Sequence, residues 1–285
     1  MGDEPEWRRL NRANWDERVP IHIASRMYDQ TGLRAGRDRL GAWQEAELGP
    51  VAGLRLLHLQ CHFGMDTLIF AQQGAEVAGV DFSAPAIEAA QGLAAELGLS
   101  GRARFVCSDV YEAPAALPEP ASFDRVFVSW GALCWLPDIS GWAQVVAHFL
   151  RPGGFLYLAE AHPAAYVLDD SAGTPGGMPG WFAPYLGRAP IIEDWPEDYA
   201  DPTKPLQNAR VWEWLHPLSD TIGGLLQAGL QLDFLHEHDN IPWQFFKCLV
   251  RGGPDNWFRW PDKPWLPLSF SLRASKPVSK ALHAW

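Results

Sequence analysis

The sequence predicts an α/β domain with a doubly wound, mostly parallel sheet. Residues 54–59 and 75–81 are short, nearly continuous apolar segments, which is typical of parallel strands that are covered on both faces. After Ser83, a suitable helix N-cap, apolar residues such as Ile87 and Ala90 recur every three or four positions and predict an amphipathic helix. Alternation of such strands and helices builds a parallel sheet with helices on both faces.

The alternation continues along the chain. Strands are predicted at residues 103–109, 123–130 and 155–161, with a helix at residues 138–150 that ends at the stop signal RPGG. The later elements are a strand-like segment, a helix and two final strands, at residues 211–216, 218–229, 230–238 and 266–274. The last two strands have no predicted helix between them, so we expect them to be antiparallel.

Two segments fall outside this alternation. Residues 1–50 read as helical and amphipathic, and we expect them to form a cap that packs across the mouth of the sheet, in front of a main domain at residues 51–285. Residues 163–205 combine many Pro, Gly and aromatic residues with no clean period. We interpret this segment as an ordered insertion after the fifth strand that forms a lid over the site.

Composition and charge narrow the class of protein. The 285 residues can bury the core of one large domain, and 47% hydrophobic with 20% charged residues is typical of a soluble globular protein. A formal charge of −11 argues against a nucleic-acid partner, which requires a basic face. No apolar run approaches the roughly 20 residues of a membrane span, and the N-terminus is charged where a signal peptide is apolar. We therefore expect a cytoplasmic protein with no membrane partner.

Metal and disulfide chemistry are not predicted. The four cysteines are too few and too scattered for a disulfide framework or a paired-cysteine metal site, so we expect reduced thiols. In the stretch HEHD, His236 and His238 share one face of a strand beside Asp239, but spacing identifies no further ligand and favours a polar cluster. The 15 tryptophans suit both a core and a site for an organic ligand.

Polar residues follow four neighbouring strands in order. Asp81 ends the second strand, and Asp109, Ser129 and Glu160 end the third, fourth and fifth. Ligands of open parallel sheets bind beyond the carboxyl ends of the strands. Asp81 also follows Gly64 at about the 20-residue offset at which an acid binds ribose hydroxyls in nucleotide folds. Each acid alone could equally be a solvated or helix-capping residue, but the ordered set favours a site.

These motifs resemble a known family. LLHLQCHFGMDT, GVDFS, SDVY, FDRVFVSWGALCWLPD and LRPGGFLYLAE are similar to the successive motifs of class I S-adenosylmethionine-dependent methyltransferases, and the LHLQCHFG and GALCWLPD wording resembles a bacterial subgroup. The resemblance covers about residues 11–276. It implies a Rossmann-like methyltransferase fold with a seven-stranded sheet and a reversed final hairpin. It also implies S-adenosylmethionine as cofactor and methyl transfer to a small organic acceptor by in-line displacement.

The resemblance also assigns cofactor contacts along the chain. The positions that run past the methionine part of the cofactor are Gln60, Cys61, His62 and Gly64. The ribose and adenine positions are Asp81 for the diol, Phe82 beside the adenine, Asp109 near its amino group and Val110 on the ring, and Ser129 and Trp130 match the segment close to the sulfonium. The chain departs from the family where His58 replaces an acid and where Gln60 and His62 replace glycines.

The single glycine of the first turn bears on the cofactor. A pyrophosphate requires a tight, glycine-rich turn of free N–H groups at a helix N-terminus, whereas S-adenosylmethionine has no phosphate and tolerates side chains there. Gly64 can supply the one close backbone approach. The turn thus counts against the first alternative, a nicotinamide-dependent oxidoreductase. A second alternative, a non-catalytic protein that binds S-adenosylmethionine, stays open.

The chemistry requires few dedicated side chains. Aromatic faces stabilise a sulfonium cation, and the candidates are Phe63, Trp130, Trp135 and Tyr28, with core packing as the favoured alternative for Trp135. If the acceptor must lose a proton, a general base is also needed. His162 is the first candidate, and Glu160 and Tyr166 are the others, although a structural histidine would give the same pattern. The acceptor atom and the oligomeric state stay open.

Overall fold

The computed structural model describes residues 4–175 and 177–278. Its α-helices are α1 (Glu6–Ala24), α2 (Thr31–Arg34), α3 (Ala42–Leu48), α4 (Met65–Gln72), α5 (Ala84–Glu96), α6 (Ala113–Ala116), α7 (Ile139–Phe149) and α8 (Leu218–Gln227). Its strands are β1 (Arg55–Leu59), β2 (Glu76–Asp81), β3 (Ala103–Cys107), β4 (Phe123–Ser129), β5 (Leu150–Ala161), β6 (Leu168–Asp169), β7 (Gly180–Trp181), β8 (Ile191–Asp194), β9 (Arg210–Glu213), β10 (Gln231–His238), β11 (Asn240–Ile241), β12 (Val250–Gly252), β13 (Trp257–Arg259) and β14 (Ser269–Ser275).

A seven-stranded sheet in the order β10-β14-β5-β4-β1-β2-β3 organises the fold. The pairs β1–β2, β2–β3, β1–β4 and β4–β5 are parallel, whereas β14 is antiparallel to both β5 and β10. The predicted sheet with its reversed final hairpin is therefore confirmed. The strand order reverses between β1 and β4, so the crevice in which α/β sheets bind ligands lies at the carboxyl ends of these two strands.

The core lies on both faces of this sheet, as a doubly wound architecture requires. On β4, Val126 and Val128 face one side with Trp142 of α7, while Phe127 between them faces the other side with Ile69 of α4. This follows from the alternation of side chains along a strand. Each side therefore carries its own helical layer, and β1 and β4 are buried by both layers.

The chain between β10 and β14 differs from the prediction. We predicted no helix between the last two strands and none is present among the described residues there, but a three-stranded sheet in the order β11-β13-β12, which we did not predict, lies between them. Its strands have two or three residues each, too short to show a period of two. Phe246 and Trp260, which lie between β10 and β14, pack with Ala161 at the end of β5, so this segment covers the carboxyl end of that strand.

The first helix lies over the carboxyl edge of the sheet. Arg8 near its start forms an ion pair with Asp109 after β3, and His22 near its end contacts His62 after β1. Asn11 fixes the helix from above, because its side-chain amide both donates to and accepts from the backbone of Trp212 on β9, each at 2.8 Å.

No helix within residues 4–175 and 177–278 combines the length and the apolar content needed to cross a bilayer.

The segment after β5 carries local order of its own. β6 pairs with β7, and β8 pairs with β9, both antiparallel. A short 3-10 turn lies in this segment at Asp170–Ala172, and two others lie earlier in the chain at Val110–Glu112 and Leu133–Trp135. The insertion thus contains small strand pairs, of which β8 is joined to β9, and β9 in turn contacts α1.

Packing in the core allows a prediction of how much stability is lost when its largest side chain is removed. Trp142 is fully buried between α7 and the sheet, so Trp142→Ala is expected to lower the free energy of unfolding by about 3–5 kcal/mol through lost contacts and a cavity. Trp181→Ala is the matched control, because Trp181 is 83% exposed and its removal should cost about 0.5 kcal/mol or less. Urea denaturation followed by circular dichroism measures both; equal midpoints would contradict the assigned core.

Candidate active site

The turn between β1 and α4 has a left-handed backbone at every second residue. The φ angles are +58° at Gln60, +51° at His62 and +79° at Gly64. A Cβ on Gly64 would lie 2.6 Å from Cε1 of Phe105, so this position requires glycine. Gln60 and His62 adopt the same conformation although it costs a residue with a side chain of the order of 1–2 kcal/mol. The turn therefore keeps a glycine-type path with side chains on it.

Those two side chains tie the turn to the segments around it. Nε2 of Gln60 donates to the carbonyl of Ala132, after β4, at 2.7 Å. Nε2 of His62 lies 2.8 Å from Nδ1 of His22 on α1. The Cys61 side chain is buried beneath the turn, and burial raises the pKa of its thiol. Gln60 and His62, which replace glycines, thus each make a side-chain contact that glycine could not make.

Asp81 joins the end of β2 to this turn. Its carboxylate accepts hydrogen bonds from the backbone N–H of His62 at 2.8 Å and of Ser83 at 3.0 Å. The side chain is buried, and burial raises its pKa to about 6 although these N–H groups act in the opposite direction. Each carboxylate oxygen can accept one more hydrogen bond, as a diol would require. Phe82, the next residue, is half-buried.

Asp109 occupies the equivalent position after β3 and is covered by the cap. It accepts a hydrogen bond from the N–H of Tyr111 at 2.8 Å, and Nε of Arg8 lies 3.0 Å from its other oxygen. Burial raises the pKa of Asp109, and Arg8 partly offsets that effect. Val110 is buried in the core beside it. Arg8 thus lies where the resemblance places the amino group of adenine.

Ser129 and Trp130 lie at the end of β4, next to the turn. Ser129 donates to Asp66 in the first turn of α4 at 3.3 Å, and burial raises the pKa of Asp66 to about 6. Trp130 also has a positive φ, +49°. Its ring packs edge-to-face on Trp43, Trp243 and Trp257 at centroid distances of 5.9, 5.6 and 5.6 Å. The sheet edge is therefore walled by aromatic rings.

The carboxylate of Glu160 is surrounded by backbone N–H donors, whereas a general base needs a free lone pair. Its buried carboxylate accepts four backbone hydrogen bonds, from the N–H groups of Gly131, Ala132, Leu133 and Ala161 at 2.5, 2.7, 3.2 and 2.8 Å. Burial raises its pKa, and the four donors act against that shift. These contacts hold the segment after β4 in place and favour a structural role for Glu160.

His162 and Tyr166 are also engaged. Nδ1 of His162 accepts from the N–H of Ala164 at 3.0 Å, and Nε2 lies 2.9 Å from a carboxylate oxygen of Glu237 on β10. Burial lowers the pKa of His162. The hydroxyl of Tyr166 points to Sγ of Cys134 at 3.8 Å, and burial raises its pKa. The structure thus directs the three predicted bases to partners outside the β1 turn.

A buried polar network that the sequence did not indicate lies above the turn. Arg18, His22 and Asp198 are buried, and a carboxylate oxygen of Asp198 lies 3.0 Å from Nη1 of Arg18 and 3.1 Å from Nε2 of His22. Nε of Arg18 donates to Asn14 at 2.7 Å. With His62, these residues form what we call the cap network. Arg18 and Asp198 are 180 positions apart, so no local pattern connects them.

Aromatic rings enclose the cap network. The guanidinium of Arg18 lies 5.8 Å from the ring centroid of Trp15, 5.3 Å from that of Trp195 and 5.4 Å from that of Tyr199. Trp135 packs edge-to-face on Trp15 at 5.3 Å, and Tyr28 packs on Phe63 at 5.4 Å. Of the four aromatic residues predicted to stabilise a sulfonium, Tyr28, Phe63 and Trp135 therefore lie near the cap network. Trp130 instead packs with the other tryptophans at the end of β4.

The charges within the cap network are balanced. Despite its burial, Asp198 has a lowered pKa, because His22, a backbone N–H and Arg18 all stabilise its anion. Burial lowers the pKa of His22, and burial together with His22 lowers that of His62 far below its usual value. At neutral pH the network therefore holds one carboxylate, one guanidinium and two neutral imidazoles.

Three further titratable side chains lie on β1, β9 and β10. Burial lowers the pKa of His58 to about 3, and its Nδ1 lies 2.8 Å from the hydroxyl of Thr67. Glu213 on β9 has a pKa raised to about 8 by burial beside Cys134, a position that no sequence motif indicated. His236 contacts Glu47 at 2.6 Å. Among the described residues, no group of three or more His, Cys, Asp or Glu side chains is arranged to hold a metal.

Comparison with known proteins finds similarity to methyltransferases. Residues 56–154 match the family described as methyltransferase domain. Among curated proteins, the chain is 28% identical to a ubiquinone biosynthesis O-methyltransferase of Leptothrix cholodnii over 128 residues, 44% of this chain and 53% of that protein. The chain thus spans about half the length of such relatives.

Solved structures extend the likeness over most of the chain. A SAM-dependent methyltransferase from Methanosarcina mazei superposes with a TM-score of 0.56 at 18% identity, covering 85% of this chain and 100% of that one. The glycopeptide N-methyltransferase MtfA, complexed with S-adenosyl-L-methionine, gives 0.53 at 19% identity, covering 86% and 94%. The chain therefore has the fold of S-adenosylmethionine-dependent methyltransferases.

The buried ion pair of the cap network yields a stability prediction. Arg18→Ala leaves Asp198 charged and buried without its guanidinium, so we expect the free energy of unfolding to fall by about 3–5 kcal/mol. Arg34→Ala is the control, because Arg34 pairs with Glu96 at the surface, where water screens the charges and the change should be much smaller. Guanidinium denaturation measures both variants. Equal losses would show that the Arg18–Asp198 pair is not buried.

Proposed function

We propose that this protein is an S-adenosylmethionine-dependent methyltransferase that transfers a methyl group to a small organic acceptor by in-line displacement. The observation that carries the proposal is the pair of buried acids, Asp81 and Asp109, at the ends of adjacent strands β2 and β3 beside the left-handed β1 turn. The match of residues 56–154 to a methyltransferase domain supports the same activity, as do relatives named as methyltransferases.

Unpaired acceptor atoms fit the donors of this cofactor. Oε1 of Gln60 in the turn and Oδ1 of Asp16 on α1 are buried and have no hydrogen-bond partner among the described residues. S-adenosylmethionine carries an ammonium group at its methionine end and hydroxyls on its ribose. In our proposal Gln60 accepts from the ammonium, while Asp81 and Asp16 accept from the ribose diol. Such buried acceptors are costly unless a partner satisfies them.

The remaining contacts follow from the same strand ends. Phe82 and Val110 flank the adenine, and Asp109 accepts from its amino group, for which Arg8 must move aside. When bound, the cofactor supplies the electrophilic methyl group. The protein orients the acceptor in line with that methyl at about 3–3.5 Å, which supplies much of the acceleration, and it excludes water.

For the acceptor we propose a small organic molecule with a hydroxyl group. The cap at residues 1–50 and the insertion at residues 163–205 act as cover and lid over the main domain at residues 51–285. They meet above the turn through aromatic rings, since Trp135 contacts Trp15 of α1 at 5.3 Å and Trp195 of the insertion at 5.7 Å. Such a lining suits a flat or apolar acceptor. The relative from Leptothrix, named as an O-methyltransferase, supports oxygen as the methylated atom.

Calorimetric titration tests the cofactor assignment directly. The full chain is titrated in parallel with S-adenosylmethionine, S-adenosylhomocysteine and NADH. We expect the two adenosyl ligands to bind and NADH not to bind. Binding of NADH alone would overturn the proposal in favour of hydride transfer. Methyl transfer to an acceptor would then separate the enzyme from a protein that only binds the cofactor.

Asp81→Ala tests the ribose contact. Loss of a charge-assisted hydrogen bond should weaken binding of S-adenosylhomocysteine by about 1–3 kcal/mol, measured by calorimetry. Asp262→Ala is the control, because Asp262 is an exposed residue of the segment between β13 and β14. This variant should bind S-adenosylhomocysteine with the affinity of the unmodified protein. A folded Asp81→Ala variant with unchanged affinity would remove Asp81 from the ribose site.

A further inference from the structure

We propose that His62, His22 and Asp198 form a proton relay in which His62 is the general base that deprotonates the acceptor, an inference that rests on the proposed function. The three residues come from the β1 turn, from α1 and from the insertion, and they lie in one line of contacts of 2.8 and 3.1 Å. No predicted base lies in this line.

The hydrogen-bond network fixes which nitrogen carries each proton. Asp198 is an acceptor only, because its carboxylate also receives Nη1 of Arg18 and the backbone N–H groups of Ala200 and Asp201. Nε2 of His22 therefore carries a proton and donates to Asp198. A neutral His22 then has a lone pair on Nδ1, which accepts from Nε2–H of His62. This leaves the lone pair of His62 on Nδ1.

That lone pair is available to a ligand. Among the described residues, Nδ1 of His62 has no hydrogen-bond partner, and the His62 ring is half-buried. The rings of Trp15, Tyr28 and Phe63 surround it at 5.4, 5.7 and 4.6 Å. The ring of His62 thus lies among the aromatic side chains near which we place the acceptor, on the turn that approaches the methionine end of the cofactor.

The relay balances atoms and charge. As the acceptor oxygen attacks the methyl group, the carbon–sulfur bond breaks and its electron pair stays on sulfur, giving the neutral thioether. The acceptor proton passes to Nδ1 of His62, and the proton on Nε2 of His62 passes to Nδ1 of His22. The products are S-adenosylhomocysteine, the methyl ether and an imidazolium on His22, whose charge lies 3.1 Å from Asp198.

The charges around the relay keep it in its basic form. Arg18 is paired with the same carboxylate as His22, and the guanidinium disfavours a second positive charge nearby. Tyr28 and Tyr199, joined by a hydrogen bond of 2.6 Å, pack on His22 as neutral phenols, and burial raises the pKa of Tyr28 to about 12. His62 and His22 are therefore neutral at neutral pH, so each keeps a lone pair that can accept a proton, and Asp198 at 3.1 Å stabilises the imidazolium that forms on His22.

The first test needs no acceptor. Nitrogen-15 NMR of full-length protein labelled at histidine and saturated with S-adenosylhomocysteine reports the protonation of each ring, with His22→Gln and His62→Asn used for assignment. At pH 7 we expect both rings to be neutral and protonated at Nε2. A proton on Nδ1 of His62, or a charged His22, would overturn the relay.

The second test measures chemistry with catechol as the probe acceptor. His22→Gln and His62→Asn are each expected to lower kcat by about 100-fold or more, the scale of general-base catalysis. Asparagine tolerates the positive φ at position 62 and so preserves the turn. The KM for S-adenosylmethionine should change by about twofold or less. His236→Gln, which alters an exposed histidine, is the control and should keep full activity.

The outcomes separate the relay from the proposed function. Absence of S-adenosylhomocysteine binding by the unmodified protein would overturn the function itself. Binding together with a kcat that survives His22→Gln would leave the methyltransferase assignment intact and overturn the relay alone. A loss in kcat that is matched by an equal loss of cofactor affinity would assign His22 to positioning of the turn and would also overturn the relay.

Discussion

The site depends on the burial of one carboxylate, Asp198, from the insertion. A charge removed from water persists only if its partners satisfy it, and here Arg18, His22 and two backbone N–H groups do so. Two of these partners lie on α1, and His22 continues to His62 on the β1 turn. One anion thus fixes three segments that are far apart in sequence, and the enclosure above the strand ends follows from that arrangement.

The β1 turn shows how a glycine motif can be replaced without a change of backbone path. Gln60 and His62 keep the left-handed conformation of the glycines expected there. Their strain is offset by contacts to the segment after β4 and to α1. Only at Gly64 does the nearby Phe105 ring leave no room for a side chain. The strain therefore lies where the cap and the sheet must be joined, as is common at functional sites.

The sequence predicted the parts of the structure in which burial follows a regular period. The strands and helices around the seven-stranded sheet have regular periods of burial, and Asp81 and Asp109 follow from their positions at strand ends. It did not predict β11, β12 and β13, which are too short to show a period. Nor did it predict the pair of Arg18 with Asp198, which depends on tertiary packing of the cap on the insertion. The roles given to Glu160 and His162 came from their positions at a strand end, which do not reveal the partners that engage both side chains.

The contact between His22 and His62 also links the position of α1 to acidity. With α1 in place both imidazoles are held neutral, whereas a displaced α1 returns them to water and to an ordinary histidine pKa near 6.5. The closed arrangement therefore binds fewer protons than an open one. By linkage, closure is fully favoured above about pH 6.5 and loses stability as the pH falls below that value. Protonation of the two imidazoles thus favours a displaced α1, because displacement returns their charge to water.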